Sequence, residues 1–118
     1  MPIELIAPQD KFGMRILGRN VKNSNKECVK KIIEKKLEYR IKKLAINAFH
    51  SLGARDYARI DIRLDTQGNP HFLEANLIPS LIQGYGSFPK ACLLNINMDY
   101  EVMILHIVKL AFIRENKE

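Results

Sequence analysis

Arg59, Asp61, Glu74 and Asn76 are the residues whose types and spacing suit chemistry in this chain. Arg59-Ile60-Asp61 lies in one short alternating segment and Glu74-Ala75-Asn76 in the next, with the polar stretch Asp65-Thr66-Gln67-Gly68-Asn69 between them. That pattern predicts a β-hairpin over residues 56–76. Alternate side chains of a strand share a face. Arg59, Asp61 and Arg63 then point one way, and Ile60, Ile62 and Leu64 the other. On the second strand Phe72, Glu74 and Asn76 share a face, opposite His71, Leu73 and Ala75. A register that pairs Asp61 with Glu74 also pairs Arg59 with Asn76 and Arg63 with Phe72. Four polar groups then stand on one face.

Two carboxylates directly opposite each other on a sheet repel. A divalent cation would remove the conflict. The oxygen-only set of Asp61, Glu74 and Asn76 suits a hard ion such as Mg²⁺ or Mn²⁺, which keeps its other positions for water and phosphate oxygens. Arg59 would offer its planar fork to a phosphate or carboxylate. The same residues also fit a solvated hairpin face on which Arg59 and Arg63 neutralise the acids. Pattern alone leaves both readings open.

A helix must lead into this hairpin. Leu37, Ile41, Leu44, Ala45, Ala48 and Leu52 recur at three- and four-residue intervals and predict a helix over residues 33–52, stopped by Gly53. Upstream, Pro2 to Ala7 reads as a strand, Pro8 to Gly13 as a loop, Met14 to Leu17 as a second strand and Asn23-Ser24-Asn25 as a turn or cap. Residues 18–32 fit loop or frayed helix equally. Downstream, residues 77–89 read as a long loop, Pro89 to Leu94 as a short helical turn, and Tyr100 to Arg114 as a helix capped by Asp99. The last helix is apolar almost all round, from Val102 through Ile113. Such a helix is buried on more than one side. The reading is a central core helix or one that meets a second copy or another chain.

The longer string resembles the C-terminal core of the ATP-grasp ligases, most closely the D-alanine–D-alanine ligases. The likeness is carried by Gly53-Ala54-Arg55-Asp56-Tyr57-Ala58-Arg59-Ile60-Asp61, Gly68-Asn69-Pro70, Phe72-Leu73-Glu74-Ala75-Asn76, Pro79, Gly84-Tyr85 and Phe88-Pro89, and spans roughly residues 37–112. It implies an α+β domain, residues 1–118 as one unit, with an antiparallel sheet flanked by helices. It implies that Asp61, Glu74 and Asn76 hold the Mg²⁺ ions bridging the ATP phosphates, and that Arg59 steadies the transferred phosphoryl group. The implied reaction is phosphorylation of a carboxylate followed by amine attack on the acyl phosphate, as in cell-wall precursor synthesis. Positioning and charge neutralisation dominate phosphoryl transfer, and metal ions with an arginine clamp supply both.

The departures fall in the substrate loop. The resemblance places a glycine whose amide helps form an oxyanion site where this chain has Ser80. It places a carboxylate-binding serine where this chain has Gly86, with Ser87 one place later. The metal residues match and the amino-acid pocket is altered. No Gly-rich phosphate loop occurs in the chain, and no spacing singles out Lys11 or Lys22 as phosphate ligands. ATP would therefore require a further N-terminal lobe. The expectation is a fragment or subunit of a carboxylate–amine ligase rather than a complete catalyst. The alternative is a non-catalytic binding or assembly module derived from the same scaffold.

Composition agrees with one globular domain: 118 residues suffice for a core, and 47% hydrophobic against 27% charged residues is ordinary for such a domain. No leader and no membrane-length apolar run appears, and Cys28 and Cys92 lack metal spacing, so free thiols in the cytoplasm are expected. Lys and Arg total 19 against 13 Asp and Glu, a net charge of +6 that favours anionic partners. No aromatic-interleaved basic motif marks a nucleic-acid binder. His50, His71 and His106 show no catalytic or zinc pattern.

Overall fold

The computed structural model describes residues 2–6 and 28–117. The expectations for Lys11, Lys22, the strand at Met14 to Leu17, the loop at Pro8 to Gly13 and the turn at Asn23 to Asn25 lie outside the described residues. The element order is β1 (Ile3–Ile6), β2 (Cys28–Lys31), α1 (Lys35–Ser51), β3 (Arg59–Leu64), β4 (Pro70–Asn76), α2 (Ser87–Ile96) and α3 (Tyr100–Lys117). The fold is α+β. The expected antiparallel sheet is divided into two two-stranded sheets, β1-β2 and β3-β4, flanked by three helices. β2 occupies part of the stretch that the sequence left undecided. It lies antiparallel to β1, with Glu4 opposite Lys30, an opposite-charge pair of the kind that supports a sheet.

Helix α1 ends where the glycine predicts. Gly53 takes φ +66, and the amides of Gly53 and Ala54 bond the carbonyls of His50 and Phe49 at 3.1 Å each. That is the Schellman closure, which satisfies the last carbonyls of the helix. Helix α2 is longer than the expected turn. It begins at Ser87 and ends at Asn97, which adopts the left-handed conformation that asparagine tolerates. Asp99 caps α3 as expected, its Oδ1 accepting the Val102 amide at 2.9 Å.

The buried apolar core is small. Among the described residues Ala91, Cys92 and Met103 form it, with Met103 at 1% exposure. The Asn95 side chain ties α2 to the first sheet by donating to the Pro2 carbonyl at 3.3 Å. Cys92 is a free thiol whose burial raises its pKa and keeps it protonated.

The β3-β4 turn is held by one carboxylate. Asp65 Oδ1 accepts the amides of Gln67 at 2.9 Å and Asn69 at 2.8 Å, while Oδ2 meets His71 Nε2 at 2.9 Å. The His71 contact and those amides lower the Asp65 pKa to about 2. A carboxylate with a depressed native pKa stabilises above its unfolded pKa and loses that contribution as pH falls through the native one. Acid should therefore loosen this turn between about pH 4 and pH 2. Carboxyl-detected NMR should place the Asp65 midpoint near 2, and His71→Ala should move it up toward the ordinary aspartate value.

Candidate functional site

The hairpin adopts the register in which Asp61 pairs with Glu74, and with it Arg59 with Asn76. The third pair differs. A bulge after Asp61 sets Ile62 opposite Phe72 and Arg63 opposite His71. Leu73 is the extra residue, and beyond it β4 has shifted by one. Phe72 therefore leaves the face of Glu74, and His71 takes the register position facing Arg63. A bulge ends regular pairing and sharpens local twist. Here it replaces the expected Arg63–Phe72 pair with Arg63–His71, so the polar face runs one pair beyond the two that carry the candidate chemistry, and His71 lies on the side of Glu74 rather than opposite it. His71 is held in the turn by Asp65, which is what removes it from the metal donors.

Arg59 and Asp61 are joined. Arg59 Nε donates to Asp61 Oδ1 at 2.8 Å and Nη2 to Oδ2 at 3.1 Å, a bidentate fork between half-buried side chains. Residues two apart on a strand lie on the same side, so the alternation itself permits this pair. Both Asp61 oxygens are thus occupied by the guanidinium. Glu74, directly opposite, is exposed and carries no ion pair among the described residues. Asn76 Oδ1 accepts the Ile78 amide at 3.0 Å, which fixes the carbonyl at the exit of β4. Asp61, Glu74 and Asn76 fit a hard divalent cation in donor type and in register, once the Arg59 fork opens. Among the described residues no group of three or more His, Cys, Asp and Glu gathers as a metal site. The candidate set rests on two carboxylates and an amide.

The entry to β3 is fixed by Asp56, Tyr57 and Phe88 of the motif string and by Arg114, which lies outside it. Asp56 takes φ +64, a left-handed conformation for a residue with a side chain. Its Oδ2 is ion-paired with Arg114 Nη1 from the last turns of α3. Tyr57 then packs against Phe88 of α2, the rings tilted by 59° with centroids 5.3 Å apart. These two contacts set where Arg59 and Asp61 begin. The signal for Arg114 was present. It lies three helical turns after the buried Met103, on the inward side of an apolar helix, where a cation needs a partner.

The loop after β4 closes on itself. Ser80 Oγ accepts the Ile82 amide at 3.3 Å, and the Gly86 amide donates to the Ile82 carbonyl at 2.9 Å. Ser80 does not adopt a positive φ, so the serine is unstrained there. Gly86 is buried, and a Cβ on it would sit inside van der Waals contact of the Ser80 carbonyl oxygen. The two departures in this loop therefore touch. Ser87 opens α2, half-buried in its first turn.

The family described as D-ala D-ala ligase C-terminus matches residues 4–109, nearly the whole chain. The chain belongs to that family. A D-alanine–D-alanine ligase of Paraburkholderia phymatum is 30% identical over 110 residues, covering 93% of this chain and 34% of the relative. A D-alanine–D-alanine ligase of Pelotomaculum thermopropionicum is 51% identical over 49 residues, covering 42% of this chain and 15% of the relative. An uncharacterized protein of Sinorhizobium fredii is 43% identical over 56 residues, 48% of this chain and 16% of that protein. The chain spans about a third or less of the length of these relatives. No solved structure matches. Among the described residues no helix is long and apolar enough to cross a membrane.

Proposed function

We propose that the β3-β4 hairpin is the metal-and-phosphate half of an ATP-dependent carboxylate–amine ligase site, acting with a nucleotide-holding lobe. The observation that carries the reading is the register of Arg59 with Asn76 and Asp61 with Glu74, within a family whose named members are D-alanine–D-alanine ligases. Asp61, Glu74 and Asn76 would hold Mg²⁺ or Mn²⁺, which when bound supplies charge neutralisation at the ATP phosphates. Arg59 turns from Asp61 to the transferred phosphoryl group. Its planar fork suits both, and the change of partner keeps the guanidinium paired throughout. Ser80, Gly86 and Ser87 shape the acceptor end of the site, where a small-molecule carboxylate and amine would meet. That end has no side chain at Gly86 to touch a substrate, so the reading commits to the reaction class and leaves D-alanine aside.

The test is a titration of isotope-labelled protein with Mn²⁺, with and without ATP. The amides of Asp61, Glu74 and Asn76 should broaden first, and Asp61→Asn should remove that selectivity. Uniform or absent broadening at millimolar Mn²⁺, with and without ATP, would sink the ligase reading. The scaffold would then stand as a non-catalytic binding or assembly module.

A further inference from the structure

Helix α1 divides its cations between two faces. Lys35 and Lys42 both meet Glu38, at 3.8 and 2.9 Å, and share its carboxylate. Lys36, Arg40, Lys43 and Asn47 follow one another at four, three and four residues, and with Tyr39 they form a different, outward face. All five are exposed, Tyr39 to 66%. No carboxylate of α1 stands on this face, and Lys36, Arg40 and Lys43 make no ion pair among the described residues. Asp65, in the neighbouring turn, is committed to the turn amides and His71. A helix face meant for water alone intersperses both signs. Between this face and the β3-β4 turn runs an open groove of about 400 Å³, lined by Tyr39, Arg40, Lys43, Leu44, Asn47 and Pro70. Arg40 Nη2 donates to Asn69 Oδ1 at 2.8 Å, which holds the guanidinium against the turn. One of its five donors is used there, and the charge stays available to an anion.

We infer that this groove takes single-stranded nucleic acid, with a base against the Tyr39 ring and neighbouring phosphates on Lys36, Arg40 and Lys43. An exposed ring beside a cationic track is what an unpaired strand needs, since every base has a face to stack. The Asn47 amide, in the same groove, can meet a base edge. A duplex keeps its bases stacked inside and offers none to the tyrosine. An acidic peptide would satisfy the cations but brings no planar group with each charge. Lys36 to Asn47 spans roughly 16 Å along the helix, long enough for a strand to run beside it. The linear string shows no such motif because helical spacing, rather than adjacency, gathers the ring and the cations. The inference is independent of the ligase reading, because no residue of the polar hairpin face takes part.

Fluorescence anisotropy of a labelled oligothymidylate of about twelve residues, titrated with the full chain, tests this. A Kd on the order of 10 µM is expected at about 50 mM salt. Three phosphate contacts give a log–log salt slope of about −2, so affinity should fall about fifteenfold by about 200 mM. Lys43→Glu should weaken binding about tenfold. Lys109→Glu makes the same charge change at an exposed position of α3 and should alter it less than about twofold. Tyr39→Ala should weaken it about tenfold and Tyr39→Phe should keep the parent affinity, because the ring is what stacks. All the substituted positions are exposed, and circular dichroism of each variant checks that the fold is unchanged. No binding at about 100 µM protein and about 50 mM salt overturns the proposal, as does a Lys109→Glu loss equal to that of Lys43→Glu. So does a Tyr39→Ala protein that binds like the parent, or a duplex bound as tightly as the single strand. Displacement by polyglutamate as effective as by unlabelled oligothymidylate also overturns it and assigns the face to an acidic peptide.

Discussion

Gly86→Ser should destabilise the protein by about 1–3 kcal/mol, the usual cost of forcing atoms into a filled site. The backbone there has φ −64, so the conformation suits any residue and the cost is steric alone. A Cβ would strike the Ser80 carbonyl oxygen and come within 3.1 Å of Ser80 C and Pro89 Cδ. Two of those three atoms are backbone and the third belongs to a proline ring, so none can rotate aside. Ser80 is further held through the Ile82 amide, and Ile82 through the Gly86 amide. Relief requires opening the whole loop from Ser80 to Gly86. Gly86→Ala should cost as much as Gly86→Ser, because the Cβ is what collides. Urea unfolding of the three proteins measures this, and a serine variant as stable as the parent would refute the contact. The likeness to D-alanine–D-alanine ligases sets a serine at this place, and restoring it on this backbone would first require Ser80 to move.

That coupling explains which parts of the protein its sequence discloses. The hairpin was legible because strand alternation has a period of two and each polar group falls on it. The register followed from Asp61 opposite Glu74 as far as those residues reach. The bulge at Leu73 was not legible: an apolar residue among apolar residues gives no sign that it is the extra one. Gly53 and Asp99 were read correctly as helix ends because a left-handed cap and an N-terminal carboxylate are local devices. The meeting of Ser80 with Gly86 and of Asp56 with Arg114 depends on segments brought together by the fold. Spacing along the chain puts Arg114 on the inward side of its helix but does not name Asp56 as its partner, and it carries no trace of the other contact. β2 was missed because Cys28-Val29-Lys30-Lys31 shows little alternation of its own and is defined by pairing with β1.

Opening the Arg59 fork should move metal binding and phosphate binding in opposite directions. In the structure Arg59 neutralises Asp61 with two hydrogen bonds, which is the arrangement expected of a bare hairpin face. A cation on Asp61 would compete with that guanidinium for its oxygens. In Arg59→Gln the opposed carboxylates lose the guanidinium that pairs with Asp61, and Mn²⁺ relieves the repulsion this leaves. Charge-assisted hydrogen bonds contribute about 1.5–3 kcal/mol, less where solvent screens them. Arg59 and Asp61 are 34% and 31% exposed, so the discounted gain is about tenfold in Mn²⁺ affinity. The Mn²⁺-induced rise in melting temperature should be larger for the variant than for the parent, because the cation then repairs a destabilised face. With triphosphate present the order should reverse, since glutamine cannot present a fork to the phosphate oxygens. Arg59→Lys keeps the charge without the fork and should fall between the two. Calorimetry with Mn²⁺ alone and with Mn²⁺–triphosphate separates the cases. If Arg59→Gln weakens both, the arginine is not competing for Asp61 and the change of partner is wrong. If it strengthens the first and weakens the second, one guanidinium serves as the stand-in for the metal at rest and as the phosphate clamp in use.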